Sequence, residues 1–167
     1  VCISPQGVVL WRLAFESGIS LFPRDTEFTT ISQADDGTLY LGSCESGNLT
    51  SYRAALFAVN PNGTLKWAFR PGVTSVGPPT AFPGGVAFGS YEGYICAVSH
   101  SGVGLWSRYF GDAIHSAPLY HCGRLWFTRY RFAVGIAPPA GINDQSPVTV
   151  LITDTSGAIK GFSRRVS

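Results

Sequence analysis

The sequence predicts an all-β chain of repeated four-stranded antiparallel units, on three grounds. Breakers are dense: 20 Gly and 11 Pro stand among 167 residues, and the longest stretches free of both, Arg24–Asp36 and Asn48–Asn60, run only 13 residues. Helices ordinarily need uninterrupted runs of about that length, which argues against an all-α protein. Short apolar segments with period-2 alternation are separated by Gly, Asp-Gly or Asn-Gly turns, the pattern of strands joined by tight hairpins. The third ground is self-similarity, the signature of stacked repeats.

Val1-Cys2-Ile3 opens the chain as a short strand, and Ser4-Pro5-Gln6-Gly7 turns it into a strand ending at Trp11. The same turn-and-strand recurs as Asn60-Pro61-Asn62-Gly63-Thr64-Leu65-Lys66-Trp67 and as Ser99-His100-Ser101-Gly102-Val103-Gly104-Leu105-Trp106. The strand before each turn also recurs, as Leu56–Val59 and Ile95–Val98. Another strand precedes it: Gly37–Ser43 matches Gly85–Ser90, and Val150–Ile159 follows Val86–Ile95 position by position. Gly77-Pro78-Pro79 and Ser116-Ala117-Pro118 open their units. One unit is therefore four short strands in about 40 residues, and such units arranged radially are the blades of a β-propeller.

The units fall at about 1–25 (partial), 26–70, 71–109 and 110–167, a single domain or segment of three and a half to four blades. Extra residues enter the second unit near Cys44–Ala55 and the last through Arg129–Gln145. Trp11, Trp67 and Trp106 end outer strands, where a large ring can wedge between blades, with Gly63 and Gly102 in the turns before the second and third of them. Cys2 aligns with Ala58 and Ala97, and small residues there suit a structure that tapers towards its axis.

These motifs resemble the pyrroloquinoline-quinone-type (PQQ-like) propeller repeat. Asp36-Gly37-Thr38-Leu39-Tyr40-Leu41-Gly42-Ser43, Gly89–Val98 and Asn62–Trp67 carry the likeness, which covers most of residues 1–128 and resumes at 147–162. The resemblance implies a fold and leaves the activity open, since one repeat serves enzymes, assembly factors and sensors. Quinone-dependent members place an adjacent Cys pair over the cofactor and a Glu/Asn/Asp set around calcium. No Cys-Cys occurs in this sequence and its ten acidic residues are scattered, so no cofactor and no metal are expected.

Other chemistry is thin. Asp112, His115 and Ser116 are neighbours entering a strand, whereas a catalytic triad converges from separate elements. His121-Cys122 lacks two further ligands at metal spacing. Asp35-Asp36-Gly37 reads as a hairpin turn more simply than as a calcium loop. Charge is near balance at +2, with residues 101–167 the more basic half; nucleic-acid binding would need a denser basic stripe, so none is expected. The most apolar stretch, Phe132–Ile142, is broken by Pro138 and Pro139, which rules out a helical membrane span there.

The expected function is a non-catalytic propeller scaffold that binds protein partners or copies of itself. Unpaired strand edges recruit other chains, and Arg129, Tyr130, Arg131 and Phe132 form a candidate contact cluster because Arg and aromatics dominate binding hot spots. Two alternatives stay open: a fragment of a quinone-dependent or sugar-handling enzyme, and a glycan-binding module with Tyr91 or Tyr130 stacking on sugar rings. With no Met in the sequence, Val1 is not read as a translation start: the chain is expected to be a processed product, an excised piece or part of something longer. Sequons at Asn48 and Asn62 point to an extracellular or secretory location with N-glycosylation, and Cys44 and Cys122 are the candidates for a disulfide, within the chain or to another copy.

Overall fold

The computed structural model describes residues 1–13, 26–45, 54–111, 113–114, 116–129, 149–154, 156 and 159–162. Every regular element among them is a strand. β1 (Cys2–Ile3) and β2 (Val9–Trp11) form a two-stranded sheet. β3 (Thr26–Gln33), β4 (Leu39–Glu45), β5 (Leu56–Val59) and β6 (Leu65–Phe69) form the first four-stranded sheet, in chain order. β7 (Thr80–Phe82), β8 (Gly85–Gly89), β9 (Tyr94–Val98) and β10 (Gly104–Tyr109) form the second. β11 (Leu119–His121), β12 (Arg124–Arg129), β13 (Thr149–Asp154) and β14 (Ile159–Phe162) form the third. All neighbouring strands are antiparallel.

Five turns share one hydrogen-bond pattern. At Ser4–Val8, Ala34–Thr38, Asn60–Thr64, Ser90–Tyr94 and Ser99–Val103, the first N–H donates to the fifth carbonyl, and the fourth residue, always Gly, donates back to the first. These are the tight turns that a left-handed Gly permits between twisted strands.

Between sheets, β3 lies beside β7 and β7 beside β11, so the first strand of each blade faces its neighbours. This places the first strands innermost and corrects one expectation. Ala58 and Ala97 are not crowded by the axis; they sit opposite Trp67 and Trp106 in the strand register, as Cys2 sits opposite Trp11. A register shift follows at the same place in all three pairs. The bulk of the indole across the ladder, not the taper of the ring, explains the small partner.

The core is a series of blade-to-blade layers. Val86 and Phe88 of β8, with Cys96 and Val98 of β9, pack towards Tyr40, Leu56 and Ala58 of the first blade. Ala87, Ile95 and Ala97, the intervening residues, pack towards Ile114, Leu125 and Phe127. Strand alternation thus sends successive residues to opposite layers, and the middle blade is apolar on both faces. Backbone bonds tie the blades together: Val76 N–H donates to Ser43 O at 2.8 Å, and Ile114 N–H to Ser90 O at 2.9 Å. A Cβ on Gly42 would strike Val76 O, and one on Gly89 would strike Ile114, so the Gly-Ser pairs Gly42-Ser43 and Gly89-Ser90 mark where the next blade's backbone comes close.

Two boundaries differ from the sequence reading. The inserted segment is expected from Cys44, but β4 continues to Glu45 and Ala55 N–H donates to Ser43 Oγ at 2.9 Å, so Cys44 and Glu45 belong to the sheet. The match of Val150–Ile159 to Val86–Ile95 predicts a second and a third strand there. The sheet places them third and fourth, because β12 already pairs with β11 through the Cys122-Gly123 turn and takes the second position.

Candidate functional site

Two surfaces combine concavity with unusual chemistry. The first is the open half-blade. β5 is flanked by β4 and β6, whereas its counterpart β1 has only β2 beside it among the described strands. Beside this half-blade runs a groove of about 510 Å³, with Ile3, Trp11 and Leu13 on one wall and Phe28, Ile31 and Leu41 on the other. Its surroundings are apolar and wet: Ile3 is 57 % exposed, Leu10 61 % and Ile31 64 %. Contiguous apolar surface of this kind marks an interaction site.

The second surface is a cavity of about 520 Å³ where turns of the first two blades meet β11. Gln33, Asp35 and Asp36 line it from the β3–β4 turn, Phe82 and Pro83 from β7 and its turn, His100 from the β9–β10 turn and Tyr120 from β11. The Phe82 and Tyr120 rings lie 6.0 Å apart, tilted by 35°. His100 is held in place: its Nδ1 is 2.8 Å from the hydroxyl of fully buried Tyr40, and its carbonyl accepts from Trp67 Nε1–H at 2.9 Å. Burial first, then the nearby Asp36 charge, pushes the Tyr40 phenol up to about 12. Asp36 Oδ1 accepts from Thr38 N–H at 2.9 Å, and Asp36 Oδ2 pairs with Lys66 Nζ at 3.3 Å. The Thr38 hydrogen bonds above all, with Lys66 assisting, hold the Asp36 carboxyl down to about 2. The Asp35 carboxylate has no partner among the described residues.

Trp67 rests on Gly102, where an added Cβ would fall 2.9 Å from the indole, and Gly102 has φ +87°. Trp11 rests in the same way on Gly63, 2.6 Å by the same measure at φ +86°, and donates from Nε1 to Pro61 O at 3.0 Å. Each Trp therefore docks on the turn of the following blade. Trp106 is half-buried beside the layer that Leu125 and Phe127 share.

The remaining candidates are dispersed. Ser116 Oγ accepts from Thr128 Oγ1 at 2.5 Å, a link into β12, while Asp112 and His115 lie outside the described residues. His121 and Cys122 are exposed at the β11–β12 turn, Cys122 with φ 49°, and no group of three metal-binding side chains occurs among the described residues. Arg129 ends β12 opposite Thr149; Tyr130, Arg131 and Phe132 lie outside the described residues, as does Asn48. Asn62 is exposed, its Oδ1 accepting from Thr64 Oγ1 at 2.7 Å. Cys44 and Cys122 are free thiols on the first and third blades, as Cys2 and Cys96 are free on theirs, so the structure does not join them. Burial, and then Glu27 beside it, raises the Cys44 thiol. Tyr91 is exposed at the β8–β9 turn. The Tyr40–His100 pair and its cavity were not apparent from sequence; the one signal was a His at the turn position that Pro61 holds in the preceding repeat.

Among solved structures, the chain is similar to BamB from Moraxella catarrhalis at 17 % identity and TM-score 0.58, over 81 % of this chain and 36 % of that one. The fold is a partial β-propeller. The chain thus spans about a third of that relative. A protein of unknown function from Bacteroides caccae aligns over 96 % of this chain and 72 % of its own, at 13 % identity and TM-score 0.49. No family model and no curated protein matches the sequence. No helix among the described residues is long and apolar enough to cross a membrane.

Proposed function

We propose that this chain is a non-catalytic β-propeller scaffold of the PQQ-like repeat type, a single domain that binds protein, with second copies of itself completing or extending the array. The half-blade groove carries the reading. A two-stranded sheet with no further strand beside it among the described residues, next to a 510 Å³ apolar groove, suits a partner that adds strands and covers Ile3, Leu10 and Ile31 together. The likeness to a propeller of 17 % sequence identity supports the architecture on which this reading rests. An extracellular or secretory setting accompanies it, supported by the exposed Asn62 sequon.

Light scattering across a concentration series tests the reading. The native chain should form a concentration-dependent dimer or higher species, and Ile3→Arg should shift it towards monomer without loss of the β-rich circular dichroism spectrum. A chain that stays monomeric at all concentrations, with Ile3→Arg indistinguishable from it, would overturn self-assembly.

A further inference from the structure

The cavity at the turn face is distinct from the half-blade groove, and its chemistry is different. One wall is aromatic, from Phe82 and Tyr120. The cavity's polar lining comes from Gln33, Asp35, Asp36 and His100, whose side chains end in planar groups. His100 cannot swing freely, because Trp67 holds its carbonyl and Tyr40 its Nδ1. That leaves Nε2 as the ring nitrogen open to a ligand. Of the two neighbouring carboxylates, Asp36 is already neutralised by Lys66, while Asp35 has no counter-ion among the described residues. A volume near 520 Å³ lies within the usual range of small-ligand sites.

We propose that this cavity receives an arginine side chain from a partner polypeptide. The polypeptide nature of the ligand rests on the scaffold reading above; the guanidinium rests on the cavity alone. A guanidinium is planar and presents donors in a fork that fits a carboxylate and a carboxamide oxygen, and it stacks on aromatic faces. Asp35 supplies the charge, Gln33 accepts a further N–H, as does His100 Nε2 in the tautomer whose Nδ1–H donates to Tyr40, and half-buried Tyr120 supplies the stacking surface. A lysine ammonium would use Asp35 but not the planar geometry. A neutral saccharide would fit the aromatic wall and leave the Asp35 charge uncompensated.

The test is an amide-resolved NMR titration of the full chain with acetyl-Gly-Arg-Gly-amide, with the citrulline peptide as its neutral counterpart and with glucose. The arginine peptide should shift the amides of Gln33, Asp35, Phe82 and His100, and the citrulline peptide should bind about two- to fivefold more weakly, the loss of one exposed ion pair. Asp35→Asn should weaken the arginine peptide by a similar factor, and Asp35→Glu should retain most of the binding. Equal binding of the two peptides would overturn the proposal. So would shifts confined to the β1–β2 groove, or a response to glucose without one to arginine. Those outcomes leave the scaffold reading untouched, since it stands on the light-scattering behaviour of Ile3→Arg.

Discussion

The two Trp-on-turn junctions make a natural comparison. Trp67 and Trp11 occupy the same repeat position, each sits on a left-handed Gly, and each donates Nε1–H to a turn carbonyl at almost the same distance. Around Trp67 the layer is closed: Tyr40 lies 5.7 Å from it, ring centroid to centroid, and the His100 ring lies 6.2 Å from Tyr40. Among the described residues the half-blade has two strands and no ring stands against Trp11 as Tyr40 does against Trp67, and the Trp11 junction borders the groove. The docking is local, made by a turn and one indole. Its burial is not, because that depends on a complete blade behind the indole.

The comparison is sharpest under truncation. Trp67→Ala should lower unfolding stability by about 3–5 kcal/mol, the range for emptying a packed aromatic site, and Trp11→Ala by less than half as much, measured by urea denaturation. Equal losses would mean that the half-blade is as closed as the first blade. Gly102→Ala should cost about 1–3 kcal/mol, since Ala must adopt positive φ and its Cβ presses on Trp67. Gly63→Ala should cost less, because the more open Trp11 can move aside. Tyr40→Phe removes the hydroxyl from His100 and should cost about 1 kcal/mol, with a matching change in the His100 ring signals and none at Trp11. The smallest effect belongs to Asp36. Its carboxyl is held at about 2 against an ordinary 3.8, so the stability it adds is present above the ordinary value and is lost as pH falls through the folded one. Asp36→Asn should flatten the loss of stability between about pH 4 and pH 2, only slightly because the group is on the surface.

Much of the fold was legible because turns are local. Gly7, Gly37, Gly63, Gly93 and Gly102 each mark a turn of one hydrogen-bond pattern, and the apolar segments Val86–Phe88 and Ile95–Val98 mark strands, which the structure buries on both faces. The rank of a strand within its blade was less legible. Second and third strands carry the same alternation, so Val150–Asp154 matches β8 in sequence yet lies third in its sheet. Pairing decides that, and pairing follows from β12 already standing beside β11. The site was least legible. Asp35, Phe82, His100 and Tyr120 are spread over 86 positions and share no spacing, since they meet only where three blades converge.

The amino-acid order alone determined that the chain forms short antiparallel strands, where they turn, and which residues recur from unit to unit, because those properties depend on backbone freedom and side-chain alternation within a few residues. Only the tertiary arrangement decided which strands lie innermost, why Ala58 must be small, and which side chains share a cavity. Those outcomes come from contacts between blades, and no short stretch of chain encodes the position of its neighbour.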